Sequence, residues 1–192
     1  MKTFELKGEI RDDFGKKAAR AYRSEALIPC VAYGGHDEEN LNFVVKNSDV
    51  RNLVYTPEVF LVDLDLGKKK FQAIVKDVQF HPVKDTILHI DFLHVFEKTP
   101  VVIEIPVRLE GLAEGVRAGG KLSLDARKLK VKAVPTKLPE VLVVNVEKLE
   151  LGKSIQVGEL QFDDLEILNA KNAVVCRVQL TRAARGAAAK SE

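Results

Sequence analysis

At 192 residues, with 46% hydrophobic and 30% charged side chains, the chain has an ordinary globular composition and enough mass to bury one large or two small cores. Thirty Lys and Arg against 28 Asp and Glu leave a net charge of +2, which excludes a protein that holds nucleic acid through bulk charge; any such affinity must come from local patterning. No apolar run approaches membrane-spanning length, the N-terminus alternates instead of forming a secretory block, and Cys30 and Cys176 lack any CxxC or Cys/His ligand spacing, so a cytoplasmic protein with buried free thiols is expected.

Phe4, Leu6, Gly8 and Ile10 alternate with Glu5, Lys7 and Glu9, the period of a half-buried strand. From Arg11 to Arg23 there are five cations and two acids, and Gly15 opens an Ala-containing segment that is helical through Arg20. Lys16, Arg20 and Arg23 then share one helical face at spacings of four and three. Such a row suits a polyanion; a solvated helix face is the plain alternative. Residues 28–33 form the next strand, 34–40 a polar loop and 41–46 another strand, after which Ser48 caps a short helix through Tyr55. Residues 58–66 alternate again, Gly67 and the lysines after it mark a turn, and strands follow at 71–81 and 86–96.

On the last of these, Leu88, Ile90, Phe92 and Phe96 take one face and His89 and Asp91 the other. If Val78 and Phe80 share a core with Leu88 and Ile90, paired residues have the same parity, which requires an odd-numbered turn such as 83–85 and sets Gln79 opposite His89. About six strands and two helices in this half are enough for a small closed barrel. Thr99 and Pro100 break the pattern, placing a domain boundary near residue 97. The second half, 98–181, is mostly β: a strand from 101, a Gly-rich flexible stretch at 111–120, and strands at 129–134, 141–146 and 173–180. Residues 182–192 form a basic tail with nothing to bury, expected to be disordered.

Little here supports catalysis. The Gly-rich stretch lacks the ending of a nucleotide-binding loop, although Arg117 within it could touch a phosphate, and neither cysteine has a neighbouring base. His81, His89, His94 and Asp91 crowd together, yet parity sends His94 to the apolar face and His81 to the turn, so no metal or other cofactor is expected. His89, Asp91 and Gln79 instead form a polar row of donors and acceptors on a strand face, the equipment needed to read 2′-hydroxyls and base edges in a shallow RNA minor groove. A plain solvated strand face is the competing reading of that row.

The stretch from Gly15 to Gly35, with Lys16, Arg20, Arg23, Ile28-Pro29 and Val31-Ala32-Tyr33-Gly34-Gly35, resembles a known family, as do Val78-Gln79-Phe80-His81-Pro82 and His89-Ile90-Asp91-Phe92. It is similar to the bacterial 5S rRNA-binding large-subunit ribosomal proteins numbered twenty-five, in the two-domain general stress protein Ctc form. Gly119-Gly120, Pro135, Leu138-Pro139-Glu140, Leu149 and Gly152 extend the likeness through the second half. The resemblance implies an N-terminal six-stranded β-barrel at 1–97, similar to the anticodon-binding barrel of glutaminyl-tRNA synthetase, seated on the loop E helix of 5S rRNA. It implies a C-terminal β-domain at 98–181 facing neighbouring ribosomal proteins, with no small-molecule substrate and no membrane. Arg11, Lys16 and Arg20 would contact phosphates and ribose, while Tyr33, Lys76, Gln79, His89 and Asp91 would face the widened minor groove. Strand parity puts Lys76 on the face away from Gln79. Ala21, Lys17 and Cys30 depart from the family's usual Arg, Gly and Ala; on this resemblance the first would remove a phosphate contact and Lys17 would partly compensate for it. The rival reading is a stress-related β-barrel interaction module that meets RNA incidentally.

Overall fold

The computed structural model describes residues 2–34, 40–67, 69–96, 99–162 and 164–181. The tail expected at 182–192 and most of the loop expected at 34–40 lie outside the described residues. The chain divides into two compact units, the first drawn mainly from residues 1–101 and the second mainly from 102 onward. Both are chiefly β, with a few short helices, as the alternating patterns require.

In chain order the first unit comprises β1 (Lys2–Lys7), β2 (Glu9–Ile10), α1 (Lys16–Ser24), β3 (Leu27–Tyr33), β4 (Leu41–Lys46), α2 (Asn47–Val54), β5 (Phe60–Asp65), β6 (Lys70–Phe80) and β7 (Ile87–His94). The sheet order is β1-β5-β6-β7-β3-β4-β2. Its two ends, β1 and β2, are successive parts of one segment that bends around Gly8, so the sheet curls round into a six-stranded barrel in which this segment pairs with β5 through β1 and with β4 through β2. The bend requires glycine: a Cβ there would stand 2.8 Å from Phe43 Cδ2 and 2.9 Å from Leu66 Cδ2. Inside, Leu6, Ile28, Cys30, Phe43, Val45, Val62, Leu64, Ile90 and Phe92 gather in one core, joined by Val50 and Leu53 of α2. The Phe43 and Phe92 rings lie 5.6 Å apart. Truncating either to Ala would cost about 3–5 kcal/mol, a large share of a small domain's stability.

Several details depart from sequence expectation. The basic helix runs past Arg20 to Ser24. Ser48 does not cap α2, because β4 runs directly into the helix with Lys46 at the cap position; Ser48 instead donates to Asp49 Oδ1 at 2.7 Å. The β6–β7 connection is even, residues 82–85, with the His81 N–H donating to Thr86 O at 2.8 Å. Register nevertheless pairs Gln79 with His89 and Val78 with Ile90. An irregularity between Gln79 and Phe80 restores the parity: Phe80 pairs with Ile87, which leaves Leu88 as the extra residue. Ile87, not Leu88, therefore enters the core, and Phe80 is exposed.

The second unit contains β8 (Val101–Glu110), α3 (Glu114–Arg117), β9 (Lys121–Leu124), β10 (Lys128–Ala133), β11 (Leu142–Asn145), β12 (Ser154–Gln156), β13 (Glu166–Ile167) and β14 (Val174–Gln179). They form sheets ordered β11-β8-β10-β13 and β12-β14-β9. Alternate residues Ile103, Ile105 and Val107 on β8, and Leu129, Val131 and Ala133 on β10, are buried. The Gly-rich stretch, expected as a flexible loop, holds α3, and its glycines serve close approach. A Cβ on Gly115 would lie 2.6 Å from the Leu151 nitrogen, and the Gly120 N–H donates to Gly115 O at 2.8 Å.

Candidate nucleic-acid interface

Register defines the outer face of the barrel. Ile10, Phe43, Cys30, Ile90 and Val78 follow one another across β2, β4, β3, β7 and β6, with Phe43, Cys30 and Ile90 fully inside. One residue along each strand the side chains turn outward. There the sequence across the sheet is Arg11, Asn42, Val31, Asp91 and Asp77: the Arg11 N–H donates to Asn42 O at 3.0 Å, and the other pairs are direct register partners. Two residues from Val31 on β3 is Tyr33, and two residues from Asp91 toward the hairpin tip is His89, opposite Gln79. Tyr33, His89, Asp91 and Gln79 thus share the outer face of three adjacent strands.

The row is fixed in place. His89 Nδ1 lies 2.7 Å from Asp91 Oδ1, with the two side chains 22% and 28% exposed. With the Asp91 carboxylate as acceptor, Nδ1 is the donor of this bond, which assigns the tautomer and leaves Nε2 outside it. Burial, reinforced by the charges of Asp91 and Asp77, raises the Tyr33 pKa, and its hydroxyl remains a neutral donor and acceptor. Gly34 follows at φ 87, where a Cβ would meet Leu93 Cδ1 at 2.9 Å, so the chain turns away directly after Tyr33. Burial pushes the Cys30 thiol far up, which makes it an inert core residue.

Lys76 is where parity reasoning from sequence loses its footing. Val75 pairs with Phe92 and Asp77 with Asp91, so Lys76 is the extra residue of a bulge and belongs to neither simple face. The same bulge brings Asp77 into register with Asp91, a carboxylate that sequence reasoning missed; no residue pattern marks a bulge at this point. The three clustered histidines also separate. His81 Nδ1 accepts the Val83 and Lys84 N–H groups at 3.2 Å each, His94 packs 4.8 Å from the Phe71 ring and 4.4 Å from Phe96, and only His89 joins the row.

On α1, Lys16, Arg20 and Arg23 are exposed along one side, while Ala18, Ala19 and Tyr22 are half-buried. Arg23 is engaged within the fold: Nε and Nη2 both donate to Leu88 O, at 3.1 and 2.9 Å. It ties α1 to the bulge directly before His89. Arg11 is half-buried at the end of the outer line, with its guanidinium carbon 5.6 Å from the Phe14 ring centroid.

Residues 6–92 match the model of the Ribosomal L25p family, and residues 100–182 match that of the ribosomal protein TL5 C-terminal domain. Among curated relatives, a large ribosomal subunit protein bL25 of Porphyromonas gingivalis is 60% identical over 193 residues, covering 100% of both chains. The protein of that name from Azobacteroides pseudotrichonymphae is 60% identical over 185 residues, 96% of this chain and 97% of its own. That from Bacteroides fragilis is 57% identical over 194 residues, 98% of each.

Proposed function

Because the chain belongs to the bacterial ribosomal L25p family, as a structural constituent of the large ribosomal subunit and not an enzyme, we propose that it acts there by binding 5S rRNA at the loop E helix through the outer face of its barrel. The observation that carries this reading is the register-locked row of Tyr33, Asp91, His89 and Gln79 on β3, β7 and β6, to whose strand α1 is tied through Arg23.

The two parts divide the work. Lys16 and Arg20 on the helix, with Arg11 at the end of β2, neutralise phosphates, a contact that carries no sequence information but sets orientation. The row offers hydroxyl, carboxylate, imidazole and amide groups, which match 2′-hydroxyls and base edges across a shallow minor groove. Carboxylates repel phosphates, so Asp77 and Asp91 favour a pose in which the RNA backbone lies toward α1 and base edges lie over the strands. Arg23, bound to Leu88, serves chiefly to hold the helix in that position. We assign 5S rRNA binding to residues 1–97 and contacts with neighbouring ribosomal components to 98–181, in a ribosome-associated protein of the cytoplasm.

Filter-binding titrations against 5S rRNA and an unrelated duplex, each at two salt concentrations, test the proposal. Preferential 5S rRNA binding that weakens with salt supports it. Equal affinity for both RNAs, or none for either, contradicts it.

A further inference from the structure

Phe14 is 63% exposed, more than any other described phenylalanine, in a chain whose remaining aromatic rings mostly pack inside or against one another. It sits between the two phosphate-facing cations Arg11 and Lys16 in sequence, directly before Gly15, whose φ of 92 turns the chain into α1. The Arg11 guanidinium stands over the ring, 5.6 Å from carbon to centroid. The Arg11 backbone is anchored, its N–H donating to Asn42 O at 3.0 Å, while its side-chain Nε is buried with no hydrogen-bond partner in the protein. A cation over an aromatic ring, with most of that ring in solvent, leaves a flat π surface beside a phosphate-binding charge. Proteins that hold single-stranded or unpaired nucleotides use this combination: an aromatic platform for the base, a cation for its backbone.

We infer that Phe14 is a nucleobase-stacking residue, its exposed ring taking one unpaired base of the RNA while Arg11 backs the ring and meets the adjacent phosphate; this rests on the reading that the barrel binds 5S rRNA. Stacking accepts any base, so the contact adds affinity next to the row that supplies discrimination. An aromatic ring is needed for this, whereas merely shielding the Arg11 stem needs only an aliphatic side chain.

Substitution separates the two roles. Phe14→Ala and Phe14→Leu are each expected to weaken 5S rRNA binding about tenfold, and Phe14→Tyr to stay within about twofold of the native chain. The slope of log affinity against log salt stays unchanged, because no phosphate contact is lost. The sequence contains no tryptophan, so Phe14→Trp installs a single fluorescent reporter that stacking would quench as 5S rRNA saturates the protein. Native affinity in Phe14→Leu, or an unquenched Phe14→Trp at saturation judged by filter binding, overturns the inference while leaving the RNA reading intact. Failure of the native chain to bind 5S rRNA overturns that reading, and the inference with it.

Discussion

The helix α1 and the strand row on β3, β7 and β6 differ in how their polar groups are held. Lys16 and Arg20 project from a nine-residue helix with no fully buried residue, and both are exposed. His89 and Asp91 are mostly covered, hydrogen-bonded at 2.7 Å, and set by a ladder whose inward residues form the barrel core. Long exposed cations bring charge with little geometry, and water and salt screen them. Half-buried, mutually bonded groups bring geometry with little net charge. Under the proposed function, a chain of net charge +2 needs both to select one RNA, and the fold carries them on separate elements joined by Arg23.

That division can be broken from either side. The largest effect is expected from removing both helix cations, Lys16→Ala with Arg20→Ala: affinity should fall about a hundredfold for 5S rRNA and for a control duplex alike, with the salt slope reduced by roughly 1.5, as for two lost phosphate contacts. Next comes His89→Ala, which should weaken 5S rRNA by about 1–3 kcal/mol, leave the control duplex unchanged and keep the salt slope. Competition filter binding reads both; equal losses on the two RNAs in His89→Ala would dissolve the distinction between the regions.

Arg23→Ala should lower stability to urea by about 1 kcal/mol through loss of its bonds to Leu88 O, with a few-fold weaker RNA affinity as α1 loosens. The smallest effect concerns Tyr33, whose pKa is raised by burial and then by Asp91 and Asp77. The unfolded chain loses this proton first as pH rises, so the associated stability is present below about pH 10 and is lost above it. Tyr33→Phe should therefore flatten the alkaline limb of a urea-midpoint profile without altering its neutral part.

Much of this was legible in sequence because alternation is a direct imprint of a half-buried strand: Phe4, Leu6 and Ile10, or Ile90 and Phe92, declare their faces without help. Composition and spacing also marked the α1 cations. What escaped were features set by partners distant in sequence. Arg23 looks like one more exposed cation until the Leu88 carbonyl, 65 residues away, is brought to it. Two irregularities in β6–β7 carry no residue signature; one compensates an even-numbered connection so that Gln79 still meets His89, and the other shifts Lys76 out of register and admits Asp77. Ser48 has the chemistry of a cap, but the helix already begins at Asn47, so Ser48 lies inside its first turn and Lys46 takes the cap position.

The central claim is directional: the RNA lies over β6, β7 and β3, not over β1 and β5. Gln79 and Gln72 are both exposed residues of β6, the first paired with His89 on β7 and the second with Asp63 on β5. Replacing each in turn with a benzophenone-bearing residue and irradiating the complex with 5S rRNA reports which side touches it. The account predicts a cross-link from position 79 and none from position 72; cross-linking from 72 with none from 79 would contradict it.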